Sequence, residues 1–276
     1  MFAVQKLKCT STLLVISVLT LFSVVAESIE LTGADIVQRC DHDAYAGEDQ
    51  RTILEIVLRD TSGNERKNVY RRYWKLIGGK NKIEDKMVLF TEFPPDAKGT
   101  AFMRWGYVAG SAKNADQWLY LPSLASTRRV SVRDPGDSFL GSDLTYQDIS
   151  PRLLAQDEHV LLREESKGGV DYYVVESLPK EDKPLYGKIV AWYEKSHDWA
   201  DCNKRRIEHF DDRGNLIKAQ ALKWQKVGGK AWLWEEVVVN NLKTGHSSVF
   251  TVSDPAINVG LKDRIFTERT LKRGIR

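Results

Sequence analysis

Short segments in which apolar and polar residues alternate follow one another through most of the sequence, separated by turn-forming residues. Alternation with a period of two is typical of β-strands that bury one face. Gly78-Gly79, Lys167-Gly168-Gly169 and Gly228-Gly229 mark turns between such segments. Strands with short connections pair in the antiparallel sense. The sequence therefore predicts a mainly β protein with consecutive strands joined as hairpins.

The predicted strands are Arg51–Asp60, Arg66–Ile77, Lys86–Phe93, Gly99–Tyr107, Gln117–Leu121, His159–Ser166, Val170–Leu178, Lys188–Lys195, Lys204–Asp211, Leu216–Val227, Ala231–Asn240 and His246–Ser253. This many antiparallel strands with few helices fit a sandwich, a closed barrel or a curved open sheet, and periodicity does not choose among them. Met87-Val88-Leu89-Phe90 and Trp232-Leu233-Trp234 are apolar on both faces. Their second face must be covered by a helix, another sheet or a ligand.

Helices are predicted only at a few places. Thr32 can cap a first helix on which Ile36, Val37 and Cys40 fall at helical spacing. Residues 122–151 have no sustained period and are predicted as a long excursion with a short helix or two. Residues 259–276 are weakly helical and basic. No linker or repeat interrupts residues 27–276, so we expect a single domain.

The N-terminus has the pattern of a secretory signal peptide. Lys6 and Lys8 precede an apolar run from Leu13 to Val25, and Ala26 follows as a small residue for cleavage. The run is shorter than the roughly 20 residues that span a bilayer as a helix. We expect export with cleavage near Ala26, the alternative being an uncleaved anchor.

Two cysteines, Cys40 and Cys202, remain after residues 1–26 are removed. In an oxidising compartment they make one disulfide conceivable, although their spacing does not establish it. No Cys-x-x-Cys pair is present for redox or zinc chemistry.

Charge and motifs argue against several classes of function. The chain has 41 Lys and Arg against 38 Asp and Glu, and cleavage removes two lysines, so no basic footprint for nucleic acid remains. No nucleophile elbow, phosphate loop or zinc-protease motif occurs. His197 with Asp201 and Cys202 lacks a second histidine, and Ser138 has no histidine nearby. We therefore expect neither an enzyme nor a protein with a metal or cofactor.

Several blocks of sequence resemble one known family. They are Phe93-Pro94-Pro95, Lys98-Gly99-Thr100, Trp118-Leu119-Tyr120-Leu121-Pro122, Arg128-Arg129-Val130, Asp137-Ser138-Phe139-Leu140-Gly141-Ser142-Asp143-Leu144-Thr145-Tyr146-Gln147-Asp148 and the opening Gly33–Cys40. Together these blocks are similar to the LolA-like outer membrane lipoprotein-sorting proteins, over most of the chain after residue 26.

The resemblance implies a curved antiparallel sheet forming an incomplete, half-open β-barrel closed by helices. It also implies a periplasmic carrier whose hollow takes the acyl chains of lipid or lipoprotein for transfer toward the outer membrane. A partner of the RND transporter class is associated with this branch. The alternative is an accessory module that docks on a membrane transporter and carries nothing.

Candidate residues follow from this hypothesis. The expected lining of the hollow is Leu54, Ile56, Leu58, Leu89, Phe102, Trp118, Trp224 and Trp234, because a dry surface stabilises each buried methylene by about 0.8 kcal/mol. The alternative for each of these residues is a position in an ordinary core. Arg128, Arg129 and Arg133 are candidates for contact with a headgroup or a partner, the alternative being a solvated loop.

Overall fold

The sequence folds into a single large sheet, seen in a computed structural model that describes residues 30–42, 44–108, 110–111, 115–130, 136–150 and 152–275. The strands are β1 (Asp49–Arg59), β2 (Glu65–Leu76), β3 (Ile83–Phe93), β4 (Ala101–Tyr107), β5 (Asp116–Leu121), β6 (Ser126–Val130), β7 (Asp157–Lys167), β8 (Val170–Pro179), β9 (Lys188–Glu194), β10 (Lys204–Phe210), β11 (Leu216–Val227), β12 (Ala231–Asn241) and β13 (Ser247–Ile257). The proposed signal peptide lies outside the described residues.

The strand order is β6-β5-β4-β3-β2-β1-β13-β12-β11-β10-β9-β8-β7, and neighbouring strands are antiparallel. The curved sheet does not close, which confirms the predicted half-open architecture. Twelve of its thirteen strands correspond to predicted segments. The strand that the sequence did not predict is β6, whose Ser-Thr-Arg-Arg-Val sequence has no alternation.

Helical elements are short. They are α1 (Gly33–Val37), which continues as a π-helical turn (Gln38–His42), α2 (Glu268–Arg273), and 3-10 turns at Lys80–Lys82, Pro95–Ala97, Pro122–Leu124, Phe139–Gly141, Leu154–Gln156, Trp199–Asp201 and Asp263–Ile265. Thr32 caps α1 as predicted, because its Oγ1 accepts a hydrogen bond from the Asp35 amide at 3.1 Å. Gly33 is required there, since a Cβ would lie 2.7 Å from the Val160 backbone of β7.

The crossing segment (residues 131–156) connects β6 to β7, which are the two outer strands of the sheet. Its described part packs Phe139 and Leu144 against Ile56 of β1 and Phe250 of β13, all buried. The segment therefore runs over the inner face of the sheet, which we define as the face that contains Ile56.

The opposite, outer face is covered at β3 and β4 by the C-terminal residues. Val88 and Met103 are buried with Phe266 and with Leu271 of α2. This explains why Met87–Phe90 is apolar on both faces: Met87 and Leu89 point to the inner cluster, and Val88 points to the outer one.

Candidate functional site

Five of the predicted lining residues lie in packed core rather than around an open hollow. Leu54, Ile56, Leu89 and Phe102 are buried in one cluster, with Leu58 packed against it. The Phe102 ring meets the Phe139 ring of the crossing segment edge to face, with centroids 6.3 Å apart. The crossing segment thus fills the space over β1 to β4 that the sequence analysis assigned to a ligand.

Trp118 lies on the outer face, so its predicted position beside the other lining residues is wrong. The register pairs Trp118 with Met103, and it pairs Phe102 with Leu119. Neighbouring residues on a strand point to opposite faces. Phe102 and Trp118 therefore cannot share one face, and Trp118 packs beside Trp105 at a centroid distance of 5.0 Å.

The open hollow lies further along the inner face. It is a cavity of about 460 Å³ bounded by β8 to β12, the start of β7, the π-helical turn after α1 and the end of the crossing segment. Its apolar lining includes Val37, Leu153, Leu154, Ile189, Ala191, Ile207, Leu222, Trp224, Trp232 and Trp234. Trp224 and Trp234 are thus the two predicted residues that line it.

Indole hydrogen bonds hold two of these tryptophans. The Trp224 Nε1–H donates to the Lys204 carbonyl at 2.6 Å, and the Trp232 Nε1–H donates to Asp201 Oδ1 at 3.0 Å. Because each polar edge is bonded to protein, the rest of each ring is apolar surface. The two rings therefore present apolar surface to the cavity on this side.

The wall formed by the π-helical turn is attached to β9, β10 and the turn between them. Cys40 and Cys202 form a disulfide with Cα atoms 5.1 Å apart, inside the limit of about 7 Å for a bridge. Asp41 pairs with the Lys204 ammonium at 2.9 Å and accepts a hydrogen bond from the Tyr193 hydroxyl at 2.9 Å. Burial, and then the Asp41 charge, raise the pKa of Tyr193 well above its ordinary value.

A buried polar network occupies one end of the cavity. The Lys218 ammonium donates to Asp148 Oδ2 and to the Tyr186 hydroxyl, both at 2.7 Å. The Tyr186 hydroxyl donates to Asp148 Oδ1 at 2.9 Å. Burial, the largest single effect, acts to raise the pKa of Asp148, but the neighbouring positive charge of Lys218 and the hydrogen bonds to the carboxylate together outweigh it, and the pKa of Asp148 is lowered. The network anchors the crossing segment, which carries Asp148, to β11.

His209 lies beside this network. Its ring packs against Tyr186 with centroids 4.3 Å apart, and Gln220 Nε2 lies 2.8 Å from His209 Nε2. Burial lowers the pKa of His209 to about 4, so the ring is neutral at pH 7.

This polar end of the cavity was not predicted from the sequence, although β11 carries a signal for it. Lys218, Gln220 and Leu222 alternate and are all buried. Two polar residues in phase with a buried leucine and with Trp224 indicate a polar site on an inner face, since such groups require partners. Asp148, Tyr186 and His209 give no comparable signal, because only the folded chain brings them to Lys218.

The candidate arginines lie away from the cavity. Arg128 and Arg129 are exposed on β6, at the opposite edge of the sheet from β7 and β8. Arg129 pairs with Asp116 and lies over the Trp118 ring at 6.0 Å. Arg133 lies outside the described residues. The structure thus does not bring Arg128 and Arg129 to the mouth of the hollow.

A second groove, of about 590 Å³, lies between the end of β2 and the residues before α2. It is more open than the cavity, and Glu48, Asp49, Lys75, Lys262 and Asp263 contribute to its lining. Lys75 and Asp263 pair across it at 2.7 Å. Its charged lining suits an apolar ligand less well than the cavity does.

The described residues give little support to metal binding or to catalysis by a nucleophile. They contain no group of three or more His, Cys, Asp or Glu side chains placed to hold a metal. The Ser138 hydroxyl donates to the Ser142 carbonyl at 2.6 Å, within the crossing segment. No helix in the described part of the chain is long and apolar enough to cross a membrane.

Comparison with known proteins places this architecture. A family model described as "Uncharacterized protein" matches residues 83–273. The sequence matches no curated protein.

Three solved structures that are similar to this chain have more informative descriptions than the family model does. An outer membrane lipoprotein-sorting protein domain, as its structure is described, from Vibrio parahaemolyticus is 27% identical with a TM-score of 0.74, covering 87% of this chain and 98% of its own. A DUF1329 family protein from Desulfovibrio piger is 26% identical with a TM-score of 0.75, covering 87% and 97%. A LolA superfamily protein from Nitrosomonas europaea shares the fold at 21% identity and a TM-score of 0.61, covering 87% and 99%. The chain therefore belongs to the family that the matching model represents, and its fold is similar to those of a lipoprotein-sorting domain and a LolA superfamily protein.

Proposed function

We propose that this protein is a carrier that binds the acyl chains of lipid or lipoprotein in the cavity between β8 to β12 and the π-helical turn. The observation that carries the proposal is the cavity itself, whose volume of about 460 Å³ is combined with a wall of three tryptophans and several aliphatic residues. Pockets of roughly 300–1,000 Å³ with mainly apolar walls are typical of small-ligand sites.

The family supplies the rest of the proposal. Two solved relatives are described as a lipoprotein-sorting domain and a LolA superfamily protein. Together with the signal-peptide pattern of residues 1–26, this supports a periplasmic location and transfer toward the outer membrane. An RND-type transporter is the partner that the resemblance suggests, and Arg128 and Arg129 on the exposed edge strand are candidates for contact with it.

A charge in the cavity tests the proposal. Ile189 lies on β9, lines the cavity and is partly buried. Ile189→Asp should weaken binding of a fluorescent C12–C16 acyl probe at least about tenfold. The introduced carboxylate would lose its hydration when the acyl chain binds, and the chain offers no hydrogen bond to replace it. Fluorescence titration of the purified exported protein measures this directly.

The matched control is Leu242→Asp, which puts the same charge on a leucine that is 52% exposed. It should bind the probe as the wild type does. Ile189→Trp serves as an uncharged second variant, which should reduce the affinity for long chains more than for short ones. Thermal unfolding of each variant separates lost binding from lost folding. Failure of the wild type to bind any acyl probe would leave the transporter-docking module as the better explanation.

A further inference from the structure

The C-terminal segment, which we define as residues 259–275, carries an excess of positive charge on its exposed side. Phe266 and Leu271 are almost completely buried against the outer face of the sheet and hold the segment there. Its acidic side chains are Asp263 and Glu268, both exposed. Its exposed cations are Lys262, Arg264, Arg269, Lys272 and Arg273. The segment therefore presents a net charge of +3 on a surface that is fixed to the sheet.

None of these five cations forms an ion pair in the described part of the chain. Asp263, the carboxylate between Lys262 and Arg264, is already paired with Lys75 of β2 at 2.7 Å. Cations on the outer face over β8 to β12 are arranged differently. There Lys188 pairs with Glu176 at 2.9 Å, and Lys223 pairs with Glu236 at 2.7 Å. The unpaired positive charge is thus concentrated on the C-terminal segment.

The sheet beneath the segment adds to this charge. Lys75 of β2 and Lys86 of β3 lie directly opposite each other in the register of the outer face. Like charges in such cross-strand pairs repel each other. The pKa of Asp263 is lowered, mainly by the hydrogen bond and the charge of Lys75 and further by the charges of Lys86 and Lys80. A single carboxylate thus lies among three lysines, and the local potential stays positive.

Exposed aliphatic side chains lie at both ends of the segment. Val259 is 47% exposed and Ile275 is 38% exposed. Cations that alternate with apolar side chains suit a membrane surface, because the cations attract anionic headgroups and the apolar groups enter the boundary with the acyl chains. Long side chains that no ion pair holds in place also suit mobile headgroups better than the fixed charges of a protein partner.

We propose that the C-terminal segment is a docking surface for membranes that contain anionic phospholipids. The five cations lie at the phosphate groups, and the exposed aliphatic side chains lie in the headgroup region. This inference goes beyond the carrier function and does not depend on it, because the segment covers the outer face whereas the cavity lies on the inner face.

The test measures co-sedimentation of the purified exported protein with vesicles. One set contains phosphatidylcholine and phosphatidylglycerol in equal parts, and the other contains phosphatidylcholine alone. We expect binding to the mixed vesicles that is lost at high salt, because salt screens exposed charges. Arg264→Gln with Arg269→Gln and Lys272→Gln should weaken this binding roughly a hundredfold, about fivefold for each cation removed from an anionic surface.

The matched control is Arg213→Gln with Lys230→Gln and Lys243→Gln. These three exposed side chains lie in the turns that follow β10, β11 and β12, and their replacement removes the same charge from the protein. This variant should bind the mixed vesicles nearly as the wild type does. Thermal unfolding of the wild type and both variants shows whether each is folded.

Equal binding of the two kinds of vesicle by the wild type, or equal losses in the two triple variants, would overturn the docking surface. Failure of the wild type to bind either kind would also overturn it and would favour an acidic protein as the partner of the segment. The carrier function is tested separately by the acyl probe. Vesicle binding without probe binding would therefore leave the docking surface standing and remove the carrier function.

Discussion

At the residue scale, the cavity combines an apolar wall with a small set of mutually bonded polar groups. Lys218 and Asp148 are almost fully buried, with side chains 6% and 2% exposed. Removing one partner of a buried ion pair costs about 3–5 kcal/mol, because the other charge is left uncompensated. The pair therefore fixes the position of the crossing segment on the sheet more firmly than an exposed ion pair would.

The low pKa of His209 predicts a pH-dependent stability. Burial lowers this pKa from 6.5 to about 4, so the unfolded chain binds more protons than the folded one between these values. The free energy of unfolding should fall as the pH is lowered from about 6.5 to about 4, by roughly 3 kcal/mol for His209. Urea unfolding at several pH values should show a shallower dependence for His209→Gln than for the wild type.

Comparing the wild type with His209→Gln isolates the effect of His209, because His159, whose pKa is also lowered by burial, is present in both proteins. Parallel pH curves for the two proteins would show that His209 is not held neutral by the fold.

At the element scale, α1 and its π-helical turn form a wall that is held by buried packing and by a few covalent and polar attachments. The disulfide between Cys40 and Cys202 and the bonds of Asp41 hold it to β9, β10 and the turn between them. Val37 and Cys40 line the cavity from this wall. A loss of attachment should therefore loosen the cavity without unfolding the sheet.

We predict that Cys40→Ser with Cys202→Ser raises amide hydrogen exchange in residues 33–42 at least about tenfold, because loss of the disulfide lowers the free energy needed to open this element locally. Exchange in β11 and β12 should change much less. Mass spectrometry of exchanged peptides measures both, and α2, which packs on the outer face, serves as the internal control. Unchanged exchange in residues 33–42 would show that packing alone holds the wall.

Strands were predictable from sequence where they alternate, and β6 was not. Leu54, Ile56 and Leu58 alternate on β1 and lie on one face, as predicted. Ser126–Val130 is a short outer strand whose first four residues are polar, so it carries no periodic signal. The route of the crossing segment was also beyond sequence analysis, because it depends on which strands end at the edges of the sheet.

At the scale of the whole described sheet, pairing of β1 with β13 joins two meanders, β1 to β6 and β7 to β13. The inner faces of the two meanders are covered differently. Over β1 to β4, Phe139 and Leu144 fill the inner face with packed side chains. Over β8 to β12, a cavity of about 460 Å³ remains. Sequence analysis predicted an apolar inner face correctly in both halves, as Leu89 and Trp234 show. It could not distinguish packed core from open cavity, because both need the same residue types.

Photo-crosslinking with a diazirine-labelled C16 acyl ester tests the central claim most directly, since it reports where a bound chain lies. The purified protein is irradiated with the probe and the modified peptides are identified by mass spectrometry. We predict modification at Ile207, Leu222, Trp224 and Trp234, which is prevented by excess unlabelled ester. Modification confined to Trp105 and Trp118 on the outer face, or to Leu89, Phe102 and Phe139 in the packed core over β1 to β4, would contradict an acyl-binding cavity between β8 to β12 and the π-helical turn.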